Sequence, residues 1–181
     1  MSVRIQLPLT RENAIKLRAG ERALLSGTLF TARDAAHQRL CALLDAGRPL
    51  PVDLKDACVY YTGPCPAAPG EVIGPCGPTT SSRMDAYTPR LIELGLTAMI
   101  GKGPRASAVA DAMQAHGAVY FAATGGAGML IAACVRECRL VAFGDLGAEA
   151  IYALTVEDFP VVVAIDAEGN SLYDRALQGK K

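Results

Sequence analysis

Residues 97–135 read TAMIGKGPRASAVADAMQAHGAVYFAATGGAGMLIAACV, and their alternation of short apolar runs with glycine-bounded amphipathic runs decides the fold class. Residues 97–100 have strand length and no polar alternation, 101–104 form a turn, and 107–116 show helical apolar spacing closed by Gly117. A second strand over 118–123, a glycine-rich turn over 124–128 and a second helix over 129–135 repeat the rhythm. Strands separated by helical crossovers pair in parallel, so the chain is of the α/β class, with a mixed or parallel sheet and flanking helices.

Toward the N-terminus, residues 85–94 read as a helix ended by Gly95, and GPCGPTTSSRM over 74–84 precedes it. Residues 71–73 resume briefly after 63–70, GPCPAAPG, whose three prolines and two glycines make it a loop. ACVYYT over 57–62 is β-branched and aromatic enough for a buried strand. RALLSGTLF over 22–30 is another strand. The amphipathic helix that follows ends at Gly47, with Arg33 at the strand-to-helix junction, Asp34 in a capping position and His37 one turn along. Residues 3–9 alternate as a short edge strand limited by Pro8, and 12–17 form a helical turn before Gly20. In the C-terminal third, strands over 139–143 and 161–166 flank a weakly helical segment at 144–159; a turn at 168–170 and a polar tail at 178–181 complete the chain. No repeat or linker interrupts it, so residues 1–181 are expected to form one domain.

Hydrophobic residues make up 51% of the 181 and charged residues 20%, which gives the chain a core of its own and argues against disorder. Eighteen basic residues balance eighteen acidic ones and Trp is absent, so neither nucleic acid nor an anionic membrane is an expected partner. A small discrete ligand is. The N-terminal MSVRIQLPLTREN lacks a basic region followed by an apolar one, and no apolar run reaches bilayer length, so a cytoplasmic location is expected. Six cysteines, at 41, 58, 65, 76, 134 and 138, include no C-x-x-C pair. Cys41, Cys134 and Cys138 fall in helical patterns as small apolar residues, which suits a reducing compartment.

The chemistry gathers at 74–84. Thr79, Thr80, Ser81 and Ser82 are successive hydroxyls, followed by Arg83, between a strand and a helix. Hydroxyls and N–H groups at a helix start suit a carboxylate or phosphate, and a guanidinium adds a forked pair of donors. The plain alternative is a Thr/Ser cap with an exposed arginine. Arg33 and Lys102 stand at two further strand ends, where cations from several loops converge on one anion, best a dicarboxylate; the alternative is three separate solvated charges. Gly101 and Gly103 flank Lys102 and are expected to let the backbone approach a ligand. GKGPRA at 101–106 fits the G-x-G-x-x-A form of a dinucleotide site, but the next strand offers no acidic residue for a ribose. Residues 125–128 lack the Lys-Ser/Thr of a phosphate loop and read as a tight turn. Cys58, Cys65 and Cys76 surround the proline-rich loop, yet their spacing matches no cluster-ligand pattern, so incidental thiols are the simpler reading. With only His37 and His116 present, a histidine-rich zinc site is excluded.

GTLFTARDAAHQRL at 27–40, GPTTSSRM at 77–84, IGKG at 100–103 and YFAATGGAGMLIAA at 120–133 together resemble the β subunit of iron–sulfur-dependent hydro-lyases of the fumarate/tartrate dehydratase class. That subunit is equivalent to the C-terminal domain of single-chain class I fumarases. The resemblance implies a swivelling β/β/α-type domain and reversible addition of water to a C4 dicarboxylate, as in malate to fumarate or tartrate to oxaloacetate. It implies a 4Fe–4S cluster carried by an α subunit and none bound by this chain, an α-subunit partner, and contacts between two β-type chains. It also implies that Arg33, Arg83 and Lys102, with Thr80 and Ser81, bind substrate, and that Thr79, Asp34 and His37 are catalytic, Thr79 being the family's candidate base. Proton loss beside a carboxylate builds charge on it, so clustered cations favour the transition state. The competing expectation is a stand-alone small-anion-binding or regulatory module without catalysis; within enzymes, it is a self-contained iron–sulfur protein on Cys58, Cys65 and Cys76.

Overall fold

The computed structural model describes residues 2–178, so 179–181 of the expected polar tail lie outside the described residues. From the N-terminus the elements are β1 (Val3–Gln6), α1 (Arg11–Ala14), β2 (Arg22–Thr31), α2 (Asp34–Asp45), β3 (Cys58–Tyr60), a 3₁₀ turn (Ser81–Met84), α3 (Thr88–Glu93) and β4 (Ala98–Gly101). They continue as α4 (Ser107–His116), β5 (Val119–Ala122), α5 (Gly128–Ala132), β6 (Val135–Ala142), a 3₁₀ segment (Gly144–Glu149), β7 (Ile151–Ile165) and α6 (Leu172–Gln178). No helix among the described residues is long and apolar enough to cross a membrane.

β1 to β5 pair in parallel in chain order, and β7 runs antiparallel beside β5 with β6 at the far edge. β7 also pairs antiparallel with β2 from Arg22 to Phe30, so β2, β3, β4, β5 and β7 form a closed ring of pairings. Closure explains why β3, β4 and β5 are apolar throughout: both of their faces are covered. Tyr60, Ile100 and Phe121 join Leu25, Leu29, Phe159 and Val163 in one core. Their neighbours Val59, Met99 and Tyr120 join Leu40, Leu91, Ile92, Val109 and Met113, contributed by α2, α3 and α4, in the other. The strand period of two assigns the residues to the two cores.

The C-terminal third corrects the sequence reading. Residues 144–159 hold only the short 3₁₀ segment before β7, a strand of fifteen residues, begins at Ile151. Its alternation breaks at Asp158, with φ 51°, between the part that pairs with β6 up to Val156 and the part that pairs with β5 from Val162. β6 starts at Val135 and takes in Cys138, which is in a strand and not a helix; exposed Arg136, Glu137 and Arg139 befit an edge strand. The helix expected over 129–135 is therefore only α5. The helix expected over 85–94 is a turn at 85–87 and then α3, whose first turn accommodates Pro89. Residues 71–73 have no regular structure, and α6 occupies 172–177, which had no assignment, and Gln178, which was expected in the polar tail.

The β2–β7 ladder shifts register between Leu25 and Gly27. Gly27 has φ 118°, and a Cβ there would stand 2.5 Å from the carbonyl oxygen of Leu7. Gly27→Ala is expected to lower the unfolding free energy by about 3 kcal/mol through backbone strain and overpacking, read as a lower urea midpoint. An unchanged midpoint would show that the bulge relaxes at no cost.

Candidate active site

Every candidate side chain follows the carboxyl end of a parallel strand. Arg33 and Asp34 follow β2, residues 79–83 end the long connection from β3, Lys102 follows β4, and the turn at 125–128 follows β5. Backbone bonds draw these loops together. The Thr79 N–H donates to the Tyr61 carbonyl at 2.7 Å, the Ser81 N–H donates to the Lys102 carbonyl at 2.9 Å, and Thr80 bridges Lys102 in parallel. The hydroxyl segment thus sits between the carboxyl ends of β3 and β4. Thr62 Oγ1 donates to the Gly77 carbonyl at 2.8 Å, which ties the start of the segment to the same strand end.

Arg33 and Arg83 meet on one carboxylate. Asp34 Oδ1 accepts from Arg83 Nε at 2.9 Å, and its Oδ2 lies 3.7 Å from Arg33 Nε. Glu149, just before β7, stands 3.2 Å from Arg33 Nη2, and its other oxygen accepts the Ala35 N–H at 3.3 Å. Asp34 is therefore a shared counter-ion and makes no side-chain cap bond, which corrects the capping expectation. As the first residue of α2 it still suits the helix dipole. Lys102 makes no ion pair among the described residues; its side chain runs beside the turn at Gly125, where a Cβ would lie 3.8 Å from Lys102 Cδ. The Thr80 bridge ties the Lys102 backbone to the segment that carries Arg83.

The hydroxyls divide. Thr80 is exposed and Thr79 half-buried, and neither side chain hydrogen-bonds among the described residues. Ser81, expected to bind substrate, is fully buried, with its Oγ 2.8 Å from the Tyr120 hydroxyl. Ser81 thus anchors the segment from inside. Gly101 makes this possible, because a Cβ there would collide with Ser81 Oγ and stand 2.9 Å from Tyr61 Cδ2. Its missing side chain admits Ser81, not a ligand.

His37, expected to be catalytic, is also turned inward. Its ring is fully buried, edge-on to Tyr61 at 5.4 Å, and Nδ1 lies 2.8 Å from the Arg33 carbonyl oxygen. A carbonyl only accepts, so Nδ1 carries the proton and Nε2 is the bare nitrogen. Burial lowers its pKa from 6.5 to about 4; the bond to Arg33 opposes that shift and Arg105 adds to it. The imidazole is neutral at pH 7 and holds the turn that carries Arg33. Arg33 Nε, Asp34 Oδ2 and His37 Nε2 are all buried without a hydrogen-bond partner, three such atoms within five residues.

Sequence reasoning missed Glu149, Asp85 and Arg105. The Arg105 side chain is 0% exposed and its Nε is 2.6 Å from Asp85 Oδ1. The available signal was its place at a loop-to-helix junction after β4, the same feature that singled out Lys102.

The thiols do not suit an iron–sulfur cluster. Among the described residues no three His, Cys, Asp or Glu side chains are grouped to hold a metal ion. Burial pushes the Cys58 thiol far above its usual range and the Cys76 thiol up to about 12, so both stay protonated. A cavity of about 320 Å³ between Cys65, Ile73, Cys138 and Tyr152 has no charged lining and so offers nothing to a dicarboxylate.

The His37 geometry makes stability depend on pH. Between pH 6.5 and 4 the unfolded chain takes up a proton that the folded chain refuses, so stability falls as pH drops, by about 3 kcal/mol in all. The urea midpoint of the wild type is expected to fall more steeply from pH 6.5 to pH 5 than that of His37→Gln. Parallel slopes would show that the buried ring titrates normally.

The family described as Fumarase C-terminus matches residues 1–176. The "Fumarate hydratase class I, anaerobic" of Escherichia coli (strain K12) is 40% identical over 86% of this chain and 29% of its own length. "Fumarate hydratase 2" of Leishmania major is 36% identical over 92% of this chain and 30% of its own length. A Methanocaldococcus jannaschii protein assigned by name as an L(+)-tartrate dehydratase subunit beta is 37% identical over 92% of this chain and 88% of its own. The chain therefore spans less than a third of these fumarate hydratases and is similar to most of the beta subunit. On the extent of that match, it belongs to the Fumarase C-terminus family.

Proposed function

We propose that this chain is the β subunit, the counterpart of the C-terminal domain, of an iron–sulfur hydro-lyase that reversibly adds water to a C4 dicarboxylate and works only with an α subunit. Fumarate/malate and tartrate/oxaloacetate are the substrate pairs. The observation that carries the reading is the meeting of Arg33 and Arg83 on Asp34, beside the unpaired hydroxyls of Thr79 and Thr80. The buried, partnerless Arg33 Nε adds support, because a carboxylate that accepts from it recovers the cost of burying it.

In this reading the guanidinium forks of Arg33 and Arg83 take one substrate carboxylate and Lys102 helps to hold the other. As the proton leaves the adjacent carbon, negative charge grows on the carboxylate, and fixed cations stabilise that state more than the bound substrate. Thr79 is placed at the departing proton. A threonine hydroxyl is a weak base unless its own proton has an acceptor. None of the described side chains hydrogen-bonds to Thr79, so the acceptor is assigned to the partner. The site is an open face, with Arg83 half exposed, and the α subunit would cover it and exclude water. The 4Fe–4S cluster is assigned to that subunit as well, in keeping with the buried, protonated Cys58 and Cys76 of this chain. Six free cysteines suit the cytoplasm.

Mixing the purified chain with a candidate α subunit is expected to produce turnover of malate or tartrate that neither chain has alone. Arg83→Ala should cut that turnover by about 10²–10³-fold while the complex still elutes at its normal size. Near-normal turnover in the variant would reject the site, and failure of the mixture to turn over either substrate would favour a binding module.

A further inference from the structure

Beneath the exposed cations lies one that no ligand reaches. The Arg105 guanidinium is held on five sides: Nε faces Asp85 Oδ1 at 2.6 Å, Nη2 donates to Thr88 Oγ1 at 2.9 Å, Nη1 faces the Met99 sulfur at 3.8 Å, and Cζ lies 5.1 Å from the ring centres of both Tyr61 and Tyr120. Four of these neighbours are tied to the loops of the site. Asp85 Oδ2 accepts the Ala106 N–H at 2.7 Å and so closes the turn that carries Lys102. Tyr120 donates its hydroxyl proton to the Gly103 carbonyl at 2.9 Å, so the 2.8 Å bond to Ser81 must be donated by Ser81. Thr88 also donates to the Met84 carbonyl at 2.8 Å, at the end of the 3₁₀ turn that carries Arg83. The Tyr61 carbonyl accepts the Thr79 N–H, and its ring touches His37, which holds Arg33.

Resting on the proposed carboxylate site, we infer that Arg105 is a positioning residue: it fixes the hydroxyl segment 79–83 and the Lys102 turn in one register without touching substrate. Packing alone does not call for a cation here. A buried ion pair is seldom more stabilising than apolar side chains of the same volume, whereas a forked cation fixes the directions of several partners at once. Tyr61 and Tyr120 gain a cation against their faces, and the strand ends that bear them are the floor of the site.

The test separates holding from folding. Arg105→Met leaves the largely buried Asp85 without its cation, so the single variant is expected to lose both stability and turnover. In Asp85→Asn/Arg105→Met the stranded charge is gone. The melting temperature of this double variant should recover, while kcat/KM in the assembled enzyme stays down about 100-fold, with kcat sharing the loss. Recovery of turnover together with stability would overturn the inference. If the double variant does not fold, Arg105→Lys keeps the charge and drops the fork; about a tenfold loss of kcat at unchanged melting temperature supports positioning, and wild-type kcat overturns it. Hydrogen exchange on the isolated chain needs no activity. In Arg105→Lys the amides of 79–84 and 102–106 should exchange faster while those of β2 do not change, and unchanged exchange in both segments overturns the inference. A wild-type mixture without turnover would sink the hydro-lyase reading and leave the exchange result to decide the role of Arg105.

Discussion

Parallel pairing of β2, β3, β4 and β5 is the constraint from which the site follows. Strands that run the same way deliver their following loops to the same end, so residues 33–37, 79–83, 102–106 and 125–128 gather although they are far apart in the chain. The antiparallel return of β7 along both β5 and β2 closes the ring and buries the second face of the central strands. A loop carrying four consecutive hydroxyls then has a rigid seat, since its backbone is bonded to Tyr61 on one side and Lys102 on the other.

Charge balance on this seat decides what it can bind. Asp34 and Glu149 offset the charges of Arg33 and Arg83, so the arginines are held close in the free chain instead of repelling each other. Half-exposed ion pairs of this kind are weak and salt-sensitive. An incoming carboxylate with better geometry competes for the same forks, and the site is already arranged when it arrives. The pair of Arg105 and Asp85, 0% and 11% exposed, is different in kind: it ties loops together and does not meet ligands.

Much of this was legible in the sequence where burial on both faces produced plain apolar runs. α4 has the predicted limits of 107–116, ended by Gly117 in a left-handed conformation, and β2 begins where the alternation of RALLSGTLF begins. The strand ends that precede Arg33 and Lys102 were correctly placed for the same reason, whereas the strand expected at 71–73 ahead of Arg83 is absent. The first part of β7, before the strand expected at 161–166, was hidden because one strand serves different neighbours along its length, and Asp158 breaks its period where they change over. The directions of Ser81 and His37 were not legible, because a Ser or His in a polar motif looks the same whether it points out or in. Here the space left by Gly101 and the slot between Tyr61 and Tyr87 turn both inward. Nor does any spacing rule pair Asp85 with Arg105 or Glu149 with Arg33; only the folded sheet brings them together.

The most direct measurement is a crystal structure of the assembled α–β complex with malate bound. A substrate carboxylate in hydrogen-bond contact with Arg33 and Arg83, with the Thr79 hydroxyl facing the adjacent carbon, is the expected result. Malate held by other residues, with the two arginines still closed on Asp34 and Glu149, would contradict the assignment.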